Sequence, residues 1–274
     1  MIRQPISPIT KIVLGLASVA CLIAAYAWLS HRQHQINPKD STIPNLSQFS
    51  DGWERLTRVP AKSEAEGWSS YRECWLWEDL GATYGRLFLG LASGVILSLV
   101  VGLAMGCFTP IEAFFVPPLS FFAKIPPTAM LAVYFVIFGT DIELFVALIA
   151  LGIFPTLAQA IYQAAKKDVS SHAIDKAYTL GASHAEVIWN VIFRQILPRI
   201  IENIRLQIGP AMVFLIAAEW LLTDVGFGYR LRIQSRLLNM NVVYIYLVIL
   251  GVTGYLFDWL LSLARRKLSP WFGE

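Results

Sequence analysis

Ionisable residues that interrupt apolar sequence are the first candidates for chemistry, because a charge at membrane depth costs about 2.5–3.5 kcal/mol on insertion scales. Three such residues are Arg86, Lys124 and Glu219. Lys124 is the one charge in the run Ala113–Thr140 and stands just before Pro126-Pro127. Two prolines remove two backbone donors and break a helical ladder. Irregular backbone at that depth is tolerated only where protein buries it or a cavity lines it. A broken helix beside a buried cation suits an anion pathway; a pair with Glu219 or Asp258 is the alternative. Arg86, one turn inside the second span, either snorkels outward or faces the bundle and attracts an anion. Glu219, at the end of the run Leu206–Thr223, can bridge to Arg230, Arg232 or Arg236, and those arginines can equally draw anions to an outer gate. Arg86, Lys124, Pro126, Pro127 and Glu219 are thus the candidate substrate-pathway residues.

Other chemistry finds little support. Gly226-Phe227-Gly228 lacks the Gly-Lys-Ser/Thr ending of a phosphate loop, so the chain is not expected to bind ATP itself. There is no HExxH, no GxSxG and no clustered His/Cys set, so no catalytic residue, metal or cofactor is expected. The three cysteines are odd in number and widely spaced. A net charge of +3 is too small to argue for nucleic acid.

The elements that hold these residues follow from composition. Hydrophobic residues make up 56% of the 274 and charged ones 15%, where a soluble chain carries about 25% charged. Four runs free of charge, Ile12–Ser30, Leu87–Ile111, Leu144–Ala165 and Leu237–Phe257, each reach the roughly 20 residues a helix needs to cross about 30 Å of hydrocarbon. Ala113–Thr140 and Leu206–Thr223, each with one charge, make six. The runs are continuously apolar rather than alternating, which favours helices over barrel strands. The expectation is an all-α integral membrane protein. The first run, with Arg3, Lys11 and Ala25-Tyr26-Ala27, also resembles a signal peptide; its length and the polytopic remainder favour an anchor. Gly209-Pro210 suggests a kink in the fifth span.

Loop charge sets the orientation. With the N-terminus inside, the inner pieces hold eleven Lys/Arg against six acids and the outer pieces nine against eleven, favouring N-in and C-in. The divisions are then 1–30 (N-terminal segment and first helix), 31–79 (an outer loop with interfacial helices and Trp53, Trp68, Trp75 and Trp77), 80–264 (a five-helix core) and 265–274 (a basic inner tail).

Within the core, the inner loop 166–205 is patterned. Ala173, Ile174, Ala177 and Leu180 form an apolar helical face before Gly181. Ser183 can cap a second helix with Glu186 completing a capping box, and Val187, Ile188, Val191 and Ile192 form its apolar face up to Pro198. Glycine at the junction allows the positive φ that ends a helix. His172 and His184 flank the turn and are expected in solvent. The hairpin suits docking on the membrane surface or into a groove on a soluble protein.

Asp175-Lys176-Ala177-x3-Gly181-Ala182 resembles the EAA-x3-G loop of permease subunits of bacterial ABC importers, followed by Ile188, Val191 and Pro198 at the family's spacing. Asp175 replaces Glu, Lys176 replaces Ala, and Phe193-Arg194 stands where Leu-Pro is usual. Asp79-Leu80-x-Ala82-Thr83-x2-Arg86-Leu87, Lys124-Ile125-Pro126-Pro127-Thr128-Ala129, Ala218-Glu219 and Val225-Gly226-Phe227-Gly228-Tyr229 resemble segments of the subfamily importing nitrate, sulfonates, taurine and bicarbonate. The resemblance implies a six-helix type I ABC importer permease in the bacterial inner membrane, working as a dimer with a second copy or homologue. It implies two cytoplasmic ATPase subunits that bind the ATP, a periplasmic binding protein that delivers a small anion, and coupling through Asp175, Ala177, Gly181, Ala182 and Pro198. An ion-coupled secondary transporter is the alternative; it predicts two homologous halves, and none is visible between 80–165 and 166–264. A membrane enzyme would need clustered acids or histidines at one interface.

Overall fold

The computed structural model describes residues 7–38, 40–57 and 74–271, and all regular structure among them is helical. The helices are α1 (Pro8–Ile36), α2 (Leu46–Thr57), α3 (Trp75–Cys107), α4 (Thr109–Phe122), α5 (Leu131–Phe138), α6 (Ile142–Lys167) and α7 (Ser171–Thr179). A continuous helical run, α8, follows over His184–Leu222, then α9 (Phe227–Arg236) and α10 (Met240–Leu268). Five helices are long and apolar enough to cross a membrane: α1, α3, α6, α8 and α10. The sixth expected span is a bent pair, Thr109–Phe122 and Pro127–Phe138, at 85°.

The chain divides into two compact units. One comprises Met1–Trp75 and Ile233–Leu247. Here an aromatic trio closes α1 on α2: the Tyr26 ring lies 6.1 Å from Phe49 and 5.8 Å from Tyr244. Tyr26 donates to the carbonyl of Pro44 (2.8 Å) and Asn241 to that of Gln48 (3.1 Å). Gly52 permits the approach, since a Cβ there would lie 3.1 Å from Ile245 Cδ1. Between the two helices, the hydroxyl and amide of Thr42 donate to Asp40 and hold its carboxyl below the usual carboxylate range. Of the expected outer loop, α2 is helical with Trp53 half exposed, whereas Trp68 falls outside the described residues.

The other unit comprises Leu76–Arg232 and Val248–Glu274. Its axis is α6, whose Leu144, Phe145, Leu148, Ile149, Ile153, Leu157 and Ile161 are essentially inaccessible. Small residues every four positions on α3 let that helix lie against it. A Cβ at Gly90 would stand 2.6 Å from Ile149 Cβ, at Gly94 2.9 Å from the Ala150 Cα, at Gly102 2.8 Å from the Ala158 carbonyl, and at Gly106 2.5 Å from Ala165 Cβ. Ser98, between them, turns its hydroxyl back to the Gly94 carbonyl at 2.7 Å. Backbone contact through small residues is how helices associate where no hydrophobic effect separates protein from lipid. On its other side α6 shares apolar clusters with Ala211, Leu215 and Ala218 of α8 near one end and with Ile192, Ile196 and Ile200 near the other.

One expectation fails here. The helix after Gly181 does not end near Pro198 but runs on to Leu222. Seven residues of π-helix, Val187–Phe193, precede the proline. Local π adjustment and neighbouring helices re-satisfy backbone groups that a proline frees, and Pro198 is buried.

Candidate functional site

The Gly181 turn lies at the C-terminal end of α6. Ser171–Thr179 closes in a Schellman motif: Ala182 N–H donates to the Ala177 carbonyl (3.0 Å) and Gly181 N–H to that of Tyr178 (2.9 Å). Gly181 takes φ +84°, the left-handed region that costs an L-residue about 1–2 kcal/mol. The next helix opens on a full capping box, with Ser183 N–H donating to Glu186 Oε2 (2.8 Å) and Glu186 N–H to Ser183 Oγ (3.3 Å). Ala177, Ala182 and Ile188 pack against the cluster of Leu157, Ile161 and Val187, while Asp175 and Lys176 are exposed. At the apex Leu180 is 87% exposed, an apolar knob. His172 and His184 are exposed as expected, and the Tyr178 hydroxyl lies 2.8 Å from His184 Nδ1 across the turn.

At the opposite end of α6, some 39 Å away at 1.5 Å per residue, four of the ionisable residues form two closed ion pairs. Asp79, Thr83 and Arg86 share one face of α3. Arg86 Nη1 donates to Glu219 Oε1 at 2.8 Å and to the Val225 carbonyl at 3.0 Å, with its guanidinium 4.6 Å from the Phe145 ring centre. Thr83 donates to the same carboxylate at 3.0 Å. Arg230 Nε donates to Asp79 Oδ2 at 2.9 Å. The turn Val225–Gly228 threads between them, and three of its amides find a buried acceptor: Gly226 to Asp79 Oδ1 (2.9 Å), Phe227 to Thr83 Oγ1 (2.9 Å) and Gly228 to Glu219 Oε2 (3.0 Å). Gly226 is obligatory, with φ +123° and a would-be Cβ 2.7 Å from Glu219 Oε1. Glu219, Asp79 and Thr83 are at most 1% exposed.

This knot corrects two expectations. Arg86 does not snorkel; an acid and an aromatic face within reach make inward pairing the cheaper arrangement than an extended path to water. Glu219 does not take Arg230, Arg232 or Arg236. Arg230 is committed to Asp79, and Arg232 reaches the carbonyls of Leu221 (3.4 Å) and Thr223 (3.3 Å) at the negative end of α8. Sequence reasoning missed Asp79 as a partner. Its spacing from Thr83 and Arg86, i, i+4, i+7, was the available signal.

Lys124 lies in the break of the bent pair. The N–H groups of Lys124 and Ile125 donate to the carbonyls of Phe121 (3.0 Å) and Phe122 (3.1 Å), ending α4. Pro126 and Pro127 then open a short 3₁₀ turn, Pro127–Met130, leading into α5. The expected break is present, but Lys124 is exposed rather than buried and has no ion-pair partner among the described residues. Both acids assigned to it are taken, Glu219 by Arg86 and Asp258 by Arg205, which donates to it at 2.9 and 2.7 Å. Beneath the break, against Gly152 and Leu151 of α6, is an apolar cavity of about 230 Å³.

Sequence comparison shows the family of the chain. Residues 86–270 match the family described as binding-protein-dependent transport system inner membrane component. The chain is 30% identical over 272 residues to the taurine transport system permease protein TauC of Escherichia coli, spanning 99% of this chain and 94% of that one. It is 29% identical over 186 residues to a putative aliphatic sulfonates transport permease protein, SsuC, of Bacillus subtilis, covering 68% and 67%. An inward-facing structure of the MetNI methionine ABC transporter superposes with a TM-score of 0.55 over 71% of this chain and 94% of that one, at 16% identity, a likeness of fold. The Gly181 turn, the bent pair and most of the knot fall inside the matched residues, and the chain belongs to the family of binding-protein-dependent transport system inner membrane components, as an ABC importer permease.

Proposed function

We propose that this permease works as a dimer, with a second copy or a homologue, and that two cytoplasmic ATPase subunits drive it through the Gly181 turn. The observation that carries the reading is the exposed Leu180 at the apex of a turn whose other face is fastened to the α6–α8 core. An apolar knob on a rigid, Schellman-closed turn is suited to a groove on a soluble partner, and α6 and α8 carry movement of that knob into the bundle. Asp175, Ala177, Gly181, Ala182 and Pro198 build or seat this element. In this reading the N- and C-termini face the cytoplasm, ATP is bound by the partners, and this chain needs no cofactor.

The cargo is a small organic anion handed over by a periplasmic binding protein. The names of the taurine and sulfonate relatives support that class, as does Lys124, a cation without an acid beside the break. Arg86 and Glu219 neutralise one another at the knot and are better read as holding the Val225–Gly228 turn than as meeting cargo. The test is purification in mild detergent from cells expressing the whole system, with mass spectrometry of what accompanies the permease. Wild-type protein should bring down an ATPase and Leu180→Asp should lose it. Equal recovery with both would remove the docking role.

A further inference from the structure

We propose that Thr156, Gln159 and Gln163 of α6, with Asn203 and Gln207 of α8, line the aqueous path through which this permease passes its cargo, and that Gln159 hydrogen-bonds the cargo in transit. The lining follows from the faces of two helices; the chemistry at Gln159 rests on the reading of the cargo as an anion.

Thr156, Gln159 and Gln163 lie at i, i+3 and i+7, and Gly152 precedes them on the same face of α6. Thr156 and Gln163 are exposed and Gln159 is half-buried. Phe214 of α8 packs over Gly152, where a Cβ would lie 2.9 Å from its Cδ2. The two helices are antiparallel: Leu148 and Ile153 cluster with Ala211 and Leu215, whereas Leu157 and Ile161 cluster with Ile196 and Ile200. Gln207 and Asn203, seven and eleven residues before Phe214, fall on its face of α8 and are half-buried. Two polar stripes therefore run from Gly152 and Phe214 toward the Gly181 turn, the one on α6 spanning about 10 Å.

Hydrocarbon offers an amide no partner, so polar side chains on open faces of spans turn toward water or protein. The open face of α3 differs, with Phe88, Ile96 and Val100 exposed. Gln159 Nε2 is inaccessible and has no hydrogen-bond partner. Buried donors are rarely left in that state, and a donor with no acceptor in the protein is free to take one from what passes. Thr156 spends its proton on the Ile153 carbonyl at 3.0 Å, which leaves its oxygen as an acceptor. None of the five carries charge, and Arg205, at the same depth on α8, is held by Asp258 at 2.9 and 2.7 Å. A neutral donor bonds an oxyanion about half as strongly as a charged one. That suits a path which must release what it admits.

The experiment uses the complete importer in proteoliposomes, with its ATPase and binding protein, and a permease whose Cys21, Cys74 and Cys107 are replaced by alanine. Single variants Thr156→Cys, Gln163→Cys and Gln207→Cys should react with an anionic, water-soluble methanethiosulfonate at least tenfold faster than Ile96→Cys or Val100→Cys. Rates as slow as at Ile96 overturn the lining. So does a disulfide between two permease copies at Gln163→Cys without labelling, which would make this face a subunit contact. Uptake is then read with whichever of taurine, methanesulfonate and nitrate the wild type carries fastest. Gln159→Leu should slow it at least fivefold, and Gln159→Asn should restore most of the rate. Gln159→Lys should also slow uptake, yet the same anion should protect Gln163→Cys from labelling at about tenfold lower concentration, a tightening that loss of packing would not produce. Uptake and protection indifferent to residue 159 overturn its role in transit. Wild-type liposomes that carry none of the three anions overturn the anion reading and the role of Gln159 with it, while the labelling rates still decide the lining.

Discussion

Glu219→Gln tests the buried knot directly. The carboxylate is inaccessible and receives hydrogen bonds from three groups: Arg86 at 2.8 Å, the Thr83 hydroxyl shared between its two oxygens at 3.0 Å, and the Gly228 amide at 3.0 Å. Glutamine keeps the shape and one acceptor oxygen but removes the charge, leaving the Arg86 guanidinium, 17% exposed, without its counter-ion. Breaking a buried pair from one side costs about 3–5 kcal/mol. Two contacts survive the change, the Val225 carbonyl at 3.0 Å and the Phe145 ring at 4.6 Å. A ring face returns about 0.5–2 kcal/mol to a cation, so the loss should fall near the lower limit, about 3 kcal/mol.

For a chain somewhat larger than 150–250 residues, that loss corresponds to a fall of about 6–12 °C in Tm, measured by tryptophan fluorescence in mild detergent. Arg86→Met should cost a comparable amount, because it strands Glu219 instead. The double variant should be more stable than the sum of the two losses, since neither charge is then left alone. Hydrogen exchange should rise at the Gly226–Gly228 amides in each single variant, because their acceptors belong to the knot. Strict additivity in the double variant would refute the pairing. Arg86→Met with unchanged Tm but abolished uptake would return Arg86 to the substrate pathway.

Other changes probe the remaining parts. Gly181→Pro removes the N–H bound to Tyr178 and cannot adopt φ +84°; the protein should still insert, but stimulation of the partner ATPase by cargo should vanish, and surviving stimulation would sink the coupling role. Gly94→Leu drives a side chain into Ile153 and the Ala150 backbone; overpacking costs about 1–3 kcal/mol or more, and the fall in Tm should exceed that of Gly15→Leu, where a Cβ meets nothing within 4 Å. Arg205→Met should loosen α10 from α8 by stranding Asp258, read as a lower Tm that Asp258→Asn partly restores.

Local signals were legible in the sequence and long-range pairings were not. The capping box at Ser183, the positive φ of Gly181 and the break at Pro126-Pro127 depend on residues within a few positions, where propensity decides. Helix bounds were less accessible. Charge-free runs placed the second span from Leu87 and the fifth from Leu206, whereas the helices begin at Trp75 and His184. An uncharged run measures the stretch that lipid can touch; a helix continues wherever neighbours neutralise or solvent hydrates its charges. Asp79, neutralised by Arg230, is such a residue. The choice of partner for Glu219 was open for a related reason, since Arg86, Arg230, Arg232 and Arg236 are chemically alike at the level of sequence. The fold decides by bringing α3 against α6 through Gly90, Gly94, Gly102 and Gly106, which sets Arg86 beside Phe145 and within reach of α8.

The two ends of the second unit are joined by more than proximity. The 39 residues His184–Leu222 rise about 58 Å, nearly twice the roughly 30 Å of hydrocarbon, so one helix carries both the capping box beside Gly181 and the Glu219 carboxylate. Ile196 and Ile200 bury it against α6, and Arg205 ties it to Asp258 of α10. A displacement imposed at the turn therefore reaches the knot along a braced rod that includes the π-helical stretch Val187–Phe193. The neutral, fully paired state of the knot matters for the same reason. Had Glu219 or Arg86 been left without a partner, the far end of the rod would hold an unsatisfied charge, and the Val225–Gly228 turn, which takes its acceptors from α3 and α8, would have nothing fixed to close upon.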